Sequence, residues 1–459
     1  MAAWILLHSP SEARLMEMLD STRSAREVWR REAQAAIASS RFSHAAIPRR
    51  PSTRHVISRE MRVLLLNQFF HPDLSATAQI ATQLAEDLVA AGLEVTALAS
   101  RGSYLGGEKL PSRERHSGVE IVRLPSTSLG KRTVLHRAVD YSSFYASAAI
   151  RLATLPRHDV LVALTTPPLI PAVGLVVKAL KSTKLVCWMQ DFYPDVAVAF
   201  DALRPGSIAT RAMSAAARLV MHQADAVVAL GERMRERCIN AGVPSERAVV
   251  IPNWSDPDVV RPVAHEMNGL RRELTNGART VVMYSGNLGR GHDVATLVDA
   301  ARRLRSWHDI GFTFIGDGAK RTDVEEAARE LPNVRLTSYQ PQDRLSESLS
   351  AGDLHLISLL GQVEGLIEPS KLYGIMAAGR PALFVGPSRS EVACTIQRER
   401  CGLVLRNGDA EGLAAAIREL AANPSERAAM GQRARTALEQ RYARRVATAR
   451  FRELLESLY

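Results

Sequence analysis

Residues 364–381, EGLIEPSKLYGIMAAGRP, spell out a strand-to-helix turn. The apolar run Leu354 to Leu360 leads into it and reads as a buried strand. Pro369 and Ser370 then open a helix with Lys371 in its first turn, and Gly379, Arg380 and Pro381 stop it. A helix N-terminus has unpaired N–H groups and a partial positive charge, and a lysine there adds a full one. That combination seats an anion such as phosphate. Taken alone, the stretch reads equally as a plain capped helix of an α/β domain.

Upstream, Thr280 to Tyr284 reads as a strand and Val294, Leu297, Val298 and Ala301 as the apolar stripe of a helix. Between them lies Gly286-Asn287-Leu288-Gly289-Arg290-Gly291. Its glycines permit positive φ and close backbone approach, and Arg290 can fork onto phosphate oxygens. The spacing is neither a dinucleotide fingerprint nor a P-loop, so a tight turn remains an equal reading. Phe312 to Ile315 forms the next strand and ends at Gly316-Asp317-Gly318. Val334 to Leu336, Leu354 to Ile357 and Ala382 to Val385 continue the sheet, and Pro424 to Tyr459 is helical by composition.

The first half has the same alternation. Arg62 to Asn67 is a buried strand, and Ile80, Leu84 and Leu88 stripe a helix that Gly92 ends. Glu94 to Leu98 completes a βαβ unit, and strands follow at Asp159–Ala163, Lys184–Trp188 and Ala226–Leu230. Tyr104 to Arg115 reads as a mobile loop. Trp188 to Asp195 follows a buried strand, which puts Asp191 at a strand's carboxyl end. There it can accept hydrogen bonds from a sugar or steady positive charge on a sugar ring; a helix cap is the alternative. The predicted fold is two α/β, doubly wound Rossmann-like domains, 61–255 and 256–430, facing a cleft. A loosely ordered extension (1–60) precedes them and a helical tail (431–459) follows.

The chain has 459 residues, a net charge of +11 and a pI of about 9.8. The size requires more than one core, and the charge favours anionic partners: nucleotides or phospholipid headgroups rather than nucleic acid, for which no signature occurs. Cys187, Cys238, Cys394 and Cys401 form no CxxC pair and read as reduced thiols. No run reads as a membrane span, because prolines interrupt Val160 to Val177. Residues 1–60 are arginine-rich, with Met61 as an alternative start; a surface-binding amphipathic helix is the rival reading. Asp256-Pro257-Asp258 reads as a linker turn rather than a metal site. No cluster of His, Cys, Asp and Glu has metal-ligand spacing.

Six segments, in order, resemble the family 4 glycosyltransferases of the GT-B fold, in their WcaI-type colanic acid and exopolysaccharide branch. They are Leu65 to Asp73 with Ala76 to Gln79, Gln190 to Asp195, Ile251 to Trp254, Tyr284 to Gly289, Phe314 to Gly318 and Glu364 to Pro381. The resemblance covers about 61–455 and implies transfer of a sugar, with retention, from a nucleotide diphosphate-sugar and without a resident metal or other cofactor. It implies that Gly286, Arg290, Lys371 and the N–H of Ser370 face the diphosphate, within a donor set that includes Asn287, Gly289, Gly316 and Glu364. The Gly316 turn and the strand around Tyr339 would lie near the base, and Asp191 near the transferred sugar. The acceptor, lipid-linked or glycan, would meet Thr77 and Gln79 of the first domain. A cytoplasmic protein touching the inner membrane face peripherally is expected. Two departures matter: Ala76 and Thr77 replace paired glycines, and Gly374 replaces the second of two glutamates. Glu364, or alternatively Glu368, would supply the first. A sugar-nucleotide epimerase and a catalytically silent nucleotide-binding scaffold remain alternatives.

Overall fold

The structure is a computed structural model that describes residues 61–103, 109–127, 134–275 and 277–459. The expectations for residues 1–60 lie outside the described residues.

The first domain is built on a sheet in the order β3-β4-β2-β1-β5-β6-β7-β8. These are β1 (Arg62–Leu66), β2 (Glu94–Ser100), β3 (Arg113–His116), β4 (Val119–Leu124), β5 (Val160–Ala163), β6 (Lys184–Trp188), β7 (Ala226–Ala229) and β8 (Ala248–Val250). All neighbours pair in parallel except β3 with β4. Parallel strands covered on both faces need apolar side chains at successive positions, which is why they read as unbroken runs. The expected loop over Tyr104–Arg115 is corrected at its end. Arg113–His116 is an antiparallel edge strand, and residues 104–108 lie outside the described residues. The cause is Ser117-Gly118, both at positive φ (49° and 85°), which closes a two-residue hairpin onto β4.

Helix α1 (Ala76–Ala90) buries Ile80, Leu84 and Leu88, and Gly92 at φ 91° ends its turn. Helices α2 (Val134–Thr154), α3 (Pro171–Lys181) and α5 (Ile208–Gln223) pack side by side, with α3 touching both others. Short α4 (Asp195–Ala199) and α6 (Glu232–Asn240) complete the domain.

The second sheet runs β11-β10-β9-β12-β13-β14, comprising β9 (Thr280–Ser285), β10 (Ile310–Ile315), β11 (Val334–Thr337), β12 (Leu354–Ser358), β13 (Ala382–Val385) and β14 (Gly402–Leu405), all parallel. Its helices are α7 (Gly269–Thr275), α8 (Val294–Arg303), α9 (Arg321–Glu330), α10 (Leu345–Ser350), α11 (Lys371–Ala377), α12 (Glu391–Glu399), α13 (Ala410–Ala422) and α14 (Pro424–Ala437). Strand order reverses between β1 and β5 in the first sheet and between β9 and β12 in the second. Ligand crevices open at the carboxyl ends of such strand pairs.

After a π-helical turn, Leu438–Tyr442, the last helix, α15 (Arg444–Leu458), crosses back to the first domain and packs on α1. Arg444 donates to Asp87 at 2.6 Å and to Glu86 at 2.8 Å. Phe451 is fully buried against Trp188, ring centroids 4.5 Å apart, beside Trp254. The domains also meet at the cleft. Phe192 N–H donates to the Leu366 carbonyl (2.8 Å), and Asp191 forms a β-bridge with Ile367. Arg237 donates twice to the Glu364 carbonyl, at 2.8 and 3.2 Å.

Candidate active site

The crevice of the second domain is made by the turn after β9 and the segment between β12 and α11. Gly286, at φ 128°, begins that turn, and its N–H is held by the Ile315 carbonyl at 2.8 Å. Gly316, at φ 143°, presses against it: a Cβ there would collide with the Gly286 carbonyl oxygen. The two glycines lock the ends of β9 and β10 together. Asn287 accepts a hydrogen bond on its carbonyl from the Tyr284 hydroxyl (2.7 Å), and Leu288 N–H donates to Asp317. Gly289 is buried and its carbonyl accepts from His292 N–H at 3.1 Å. The turn is therefore rigid without a ligand.

Lys371 lies against this turn. A Cβ on Gly286 would sit 3.3 Å from its Cε and 3.5 Å from its Nζ. The ammonium stands 3.7 Å from the centre of the Tyr284 ring. Nζ is buried and has no hydrogen-bond partner among the described residues. Burial holds its pKa well below the usual lysine value. His292 is half-buried and donates from Nδ1 to the Ser358 carbonyl (2.5 Å); burial of its ring and then Lys371 lower its pKa to about 3. A buried cation without a counter-ion is costly, and an anion placed here relieves that cost. Helix α11 has only seven residues, so its dipole is short and Lys371 carries most of the positive potential. Ser370 is the helix N-cap residue but makes no side-chain cap bond.

The other expected residues are distributed around this pair. Arg290 is at the exposed end of the turn. Tyr339 is exposed, beyond the end of β11, and its ring edge would be 3.4 Å from a Cβ on Gly316. Glu364 faces the first domain, its carboxylate 3.9 Å from Arg233. Glu368 is half-buried, with both carboxylate oxygens out of contact with solvent. Burial, then Glu391 and Glu364, push its pKa up to about 8. At Gly374 a Cβ would meet only the end of the Leu349 side chain, at an ordinary contact distance of 3.4 Å, so packing does not require glycine there.

Across the cleft Asp191 is buried, and its N–H, like that of Gln190, donates to Thr165 Oγ1. Thr77 is buried in the first turn of α1, while Gln79 Nε2 is spent on the Leu74 carbonyl at 2.8 Å. The residues the sequence reading passed over are Asn67, Gln68 and Gln190. Asn67 Oδ1, Gln68 Oε1 and Gln190 Nε2 are buried without partners among the described residues. All three follow β1 or β6, and Gln68 N–H is tied to the Thr166 carbonyl at 2.8 Å. Their signal was positional: polar side chains at the carboxyl ends of apolar strands at or next to the strand-order reversal. Among the described residues no group of three or more His, Cys, Asp or Glu is arranged to hold a metal ion. Asp256 and Asp258 form the expected turn, Asp258 N–H to Asp256 Oδ1 at 2.9 Å.

Residues 75–254 match the glycosyl transferase 4-like domain and residues 279–423 the glycosyl transferases group 1. WcaI of Escherichia coli (strain K12), named for colanic acid biosynthesis, is 26% identical over 347 residues, covering 72% of this chain and 85% of the relative. The glycosyltransferase WbjE of Pseudomonas aeruginosa is 28% identical over 298 residues, 64% of this chain and 74% of its own. Among solved structures, sucrose-phosphate synthase from Thermosynechococcus elongatus superposes with a TM-score of 0.70 at 17% identity, over 87% of this chain and 99% of that one. HepE of Anabaena, in complex with UDP-glucose, gives 0.64 at 16% identity, over 87% and 100%. These structures share the fold: two parallel-sheet α/β domains with a helical C-terminus. The chain belongs to the family 4 glycosyltransferases of the GT-B fold and is a glycosyltransferase of the polysaccharide-biosynthesis type.

Proposed function

We propose that this glycosyltransferase moves a sugar, with retention of configuration, from a nucleoside diphosphate-sugar to a hydroxyl of a lipid-linked or glycan acceptor. The observation that carries the reading is the buried, unpartnered Lys371 ammonium against the Gly286 turn. In this scheme the diphosphate lies on Lys371, the Gly286 backbone and the Ser370 N–H, with Arg290 reaching it from the rim and Asn287 and Gly289 shaping the turn. The bond between the anomeric carbon and the diphosphate oxygen breaks, and the oxygen keeps the electron pair. The cationic side chains and aligned N–H groups stabilise that charge as it builds, which is electrostatic catalysis without a resident metal. The acceptor oxygen bonds to the same face of the anomeric carbon and gives up its proton to the departing diphosphate.

Asp191, buried at the bridge to Ile367, would meet the sugar from the opposite wall and steady positive charge on its ring. Asn67, Gln68 and Gln190 offer the mixed donors and acceptors that hydroxyl groups satisfy, so the acceptor enters past them and past Thr77. Closing the domains over the donor excludes water that would otherwise hydrolyse it. Tyr339, beside Gly316, suits a base. A UDP-sugar is the first donor to test, since HepE was solved with UDP-glucose. The test is incubation with labelled UDP-, GDP-, TDP- and CMP-sugars, with and without a bacterial lipid extract, followed by the anomeric configuration of the product. Acceptor-dependent nucleotide release with retention is expected. Acceptor-free epimerisation, or binding with no turnover in any mixture, would overturn it.

A further inference from the structure

The donor crevice opens at the carboxyl ends of the second sheet. At the opposite end, beside the first residues of β10 and β11, the second domain has a cavity of about 440 Å³. Small-molecule sites span about 300–1,000 Å³, so the space suffices for a metabolite. Part of its wall is the end of α7 and the turn into β9, with Thr275, Gly277 and Ala278. Gly311 of β10 lies against that turn: a Cβ there would stand 2.7 Å from the Ala278 Cβ. The last two carbonyls of α7 are already satisfied. Leu274 accepts from Thr313 Oγ1 at 2.8 Å, and Thr275 accepts from Ala278 N–H at 3.1 Å. The helix end therefore adds no unpaired acceptor to the cavity.

The rest of the wall is basic. The turn from α8 into β10 supplies Arg305 and His308, and β11 supplies Arg335. The register pairs Arg335 with Thr313, which puts the arginine on the face of the sheet that α7 covers. Among the described residues no carboxylate lines the cavity; Asp309, next to His308, is not part of the wall. Arg302 and Arg303, one turn earlier on α8, are paired with Asp299 and Glu411. Arg305 and Arg335 are exposed and have no ion-pair partner among the described residues. Asn333 makes a different demand. Its Nδ2 donates to the Ala301 carbonyl at 2.9 Å, while its Oδ1 is buried with no partner among the described residues. An acceptor left in that state is satisfied by a hydroxyl group.

We propose that this cavity is a second ligand site, for a small sugar that carries a phosphate or a carboxylate. The two arginines fork onto the anionic group, and sugar hydroxyls meet Asn333 Oδ1 and Thr275. A nucleotide fits less well, because the one aromatic ring in the wall, Phe312, is buried and offers no face for a base to stack on. A bare inorganic anion leaves Asn333 Oδ1 unmatched. The six residues of β10 separate the cavity from the Gly316 turn, roughly 20 Å. The site is thus distinct from the donor crevice, and the proposal needs neither the donor nor the acceptor of sugar transfer.

The test is isothermal titration calorimetry of the full chain with glucose-6-phosphate, glucuronate, glucose and inorganic phosphate at constant ionic strength. At least one of the two anionic sugars should bind, and which one does identifies the anionic group. Glucose should give no heat, and inorganic phosphate should bind at least about tenfold more weakly than the sugar. Arg305→Ala with Arg335→Ala should weaken sugar binding at least about tenfold. Both positions are exposed, so the melting temperature of this variant should match the parent. Lys371→Met should bind the sugar like the parent, because the crevice is not involved. Silence from both anionic sugars would overturn the proposal, as would equal binding of inorganic phosphate or an arginine variant that binds like the parent. Loss of binding in Lys371→Met would overturn it too, by moving the ligand to the donor crevice.

Discussion

Lys371 is the residue on which the site depends. Replacing it with methionine keeps the volume and removes a buried charge that has no partner, so the ligand-free protein should melt no lower than the parent. Turnover should fall on the order of a hundredfold or more, because charge on the departing diphosphate loses its nearest cation. The thermal shift given by a nucleoside diphosphate should vanish with it. Unchanged kinetics would remove Lys371 from the site. Gly316 carries a different kind of constraint. Gly316→Ala must resolve a collision with the Gly286 carbonyl at a φ of 143°, so it should lose on the order of 3 kcal/mol in urea unfolding. A loss near zero would show that the two turns can part. Asp191→Asn should lower kcat more than donor affinity; equal losses would leave Asp191 a binding role only.

At the scale of elements, the crevice segment between β12 and α11 places Glu368 where Glu364 and Glu391 also converge. With a pKa pushed up to about 8, it holds its proton at neutral pH. Its folded value lies above the ordinary 4.5, so the native state binds this proton more tightly than the unfolded chain does. That contribution is fully present below pH 4.5 and is lost as pH rises toward 8. Glu368→Gln should flatten this part of the stability profile, measured as melting temperature against pH; parallel profiles for both proteins would exclude Glu368 as the source.

Elements of this kind were legible where one local rule sufficed. β9, β12, β13 and α11 announce themselves by apolar runs, Pro369 and Gly379, and the order of six motifs named the family. Edge strand β3 was not legible, because RERH is polar and only the Ser117-Gly118 turn pairs it. The isolation of Lys371 was not legible either. Its place in a first turn suggested an anion seat and nothing of its burial, which comes from the approach of the distant segment that carries Tyr284. Gly374 stands where the resemblance places a carboxylate, and packing against Leu349 does not account for it.

Across the whole molecule, α15 ties the chain's end back to the first domain through Arg444 and Phe451. Phe451→Ala should cost about 3–5 kcal/mol, since the ring fills a pocket among Trp188 and Trp254. A small loss would mean that the helix is only laid on the surface. The same architecture joins the two crevices, with Asp191 paired to Ile367 directly above the segment that leads to Lys371. The most direct test of the account is a crystal structure with a bound nucleoside diphosphate. The account predicts the pyrophosphate within ion-pair distance of Lys371 Nζ and against the Gly286 backbone. A pyrophosphate elsewhere, with Lys371 still buried and unpaired, would contradict it.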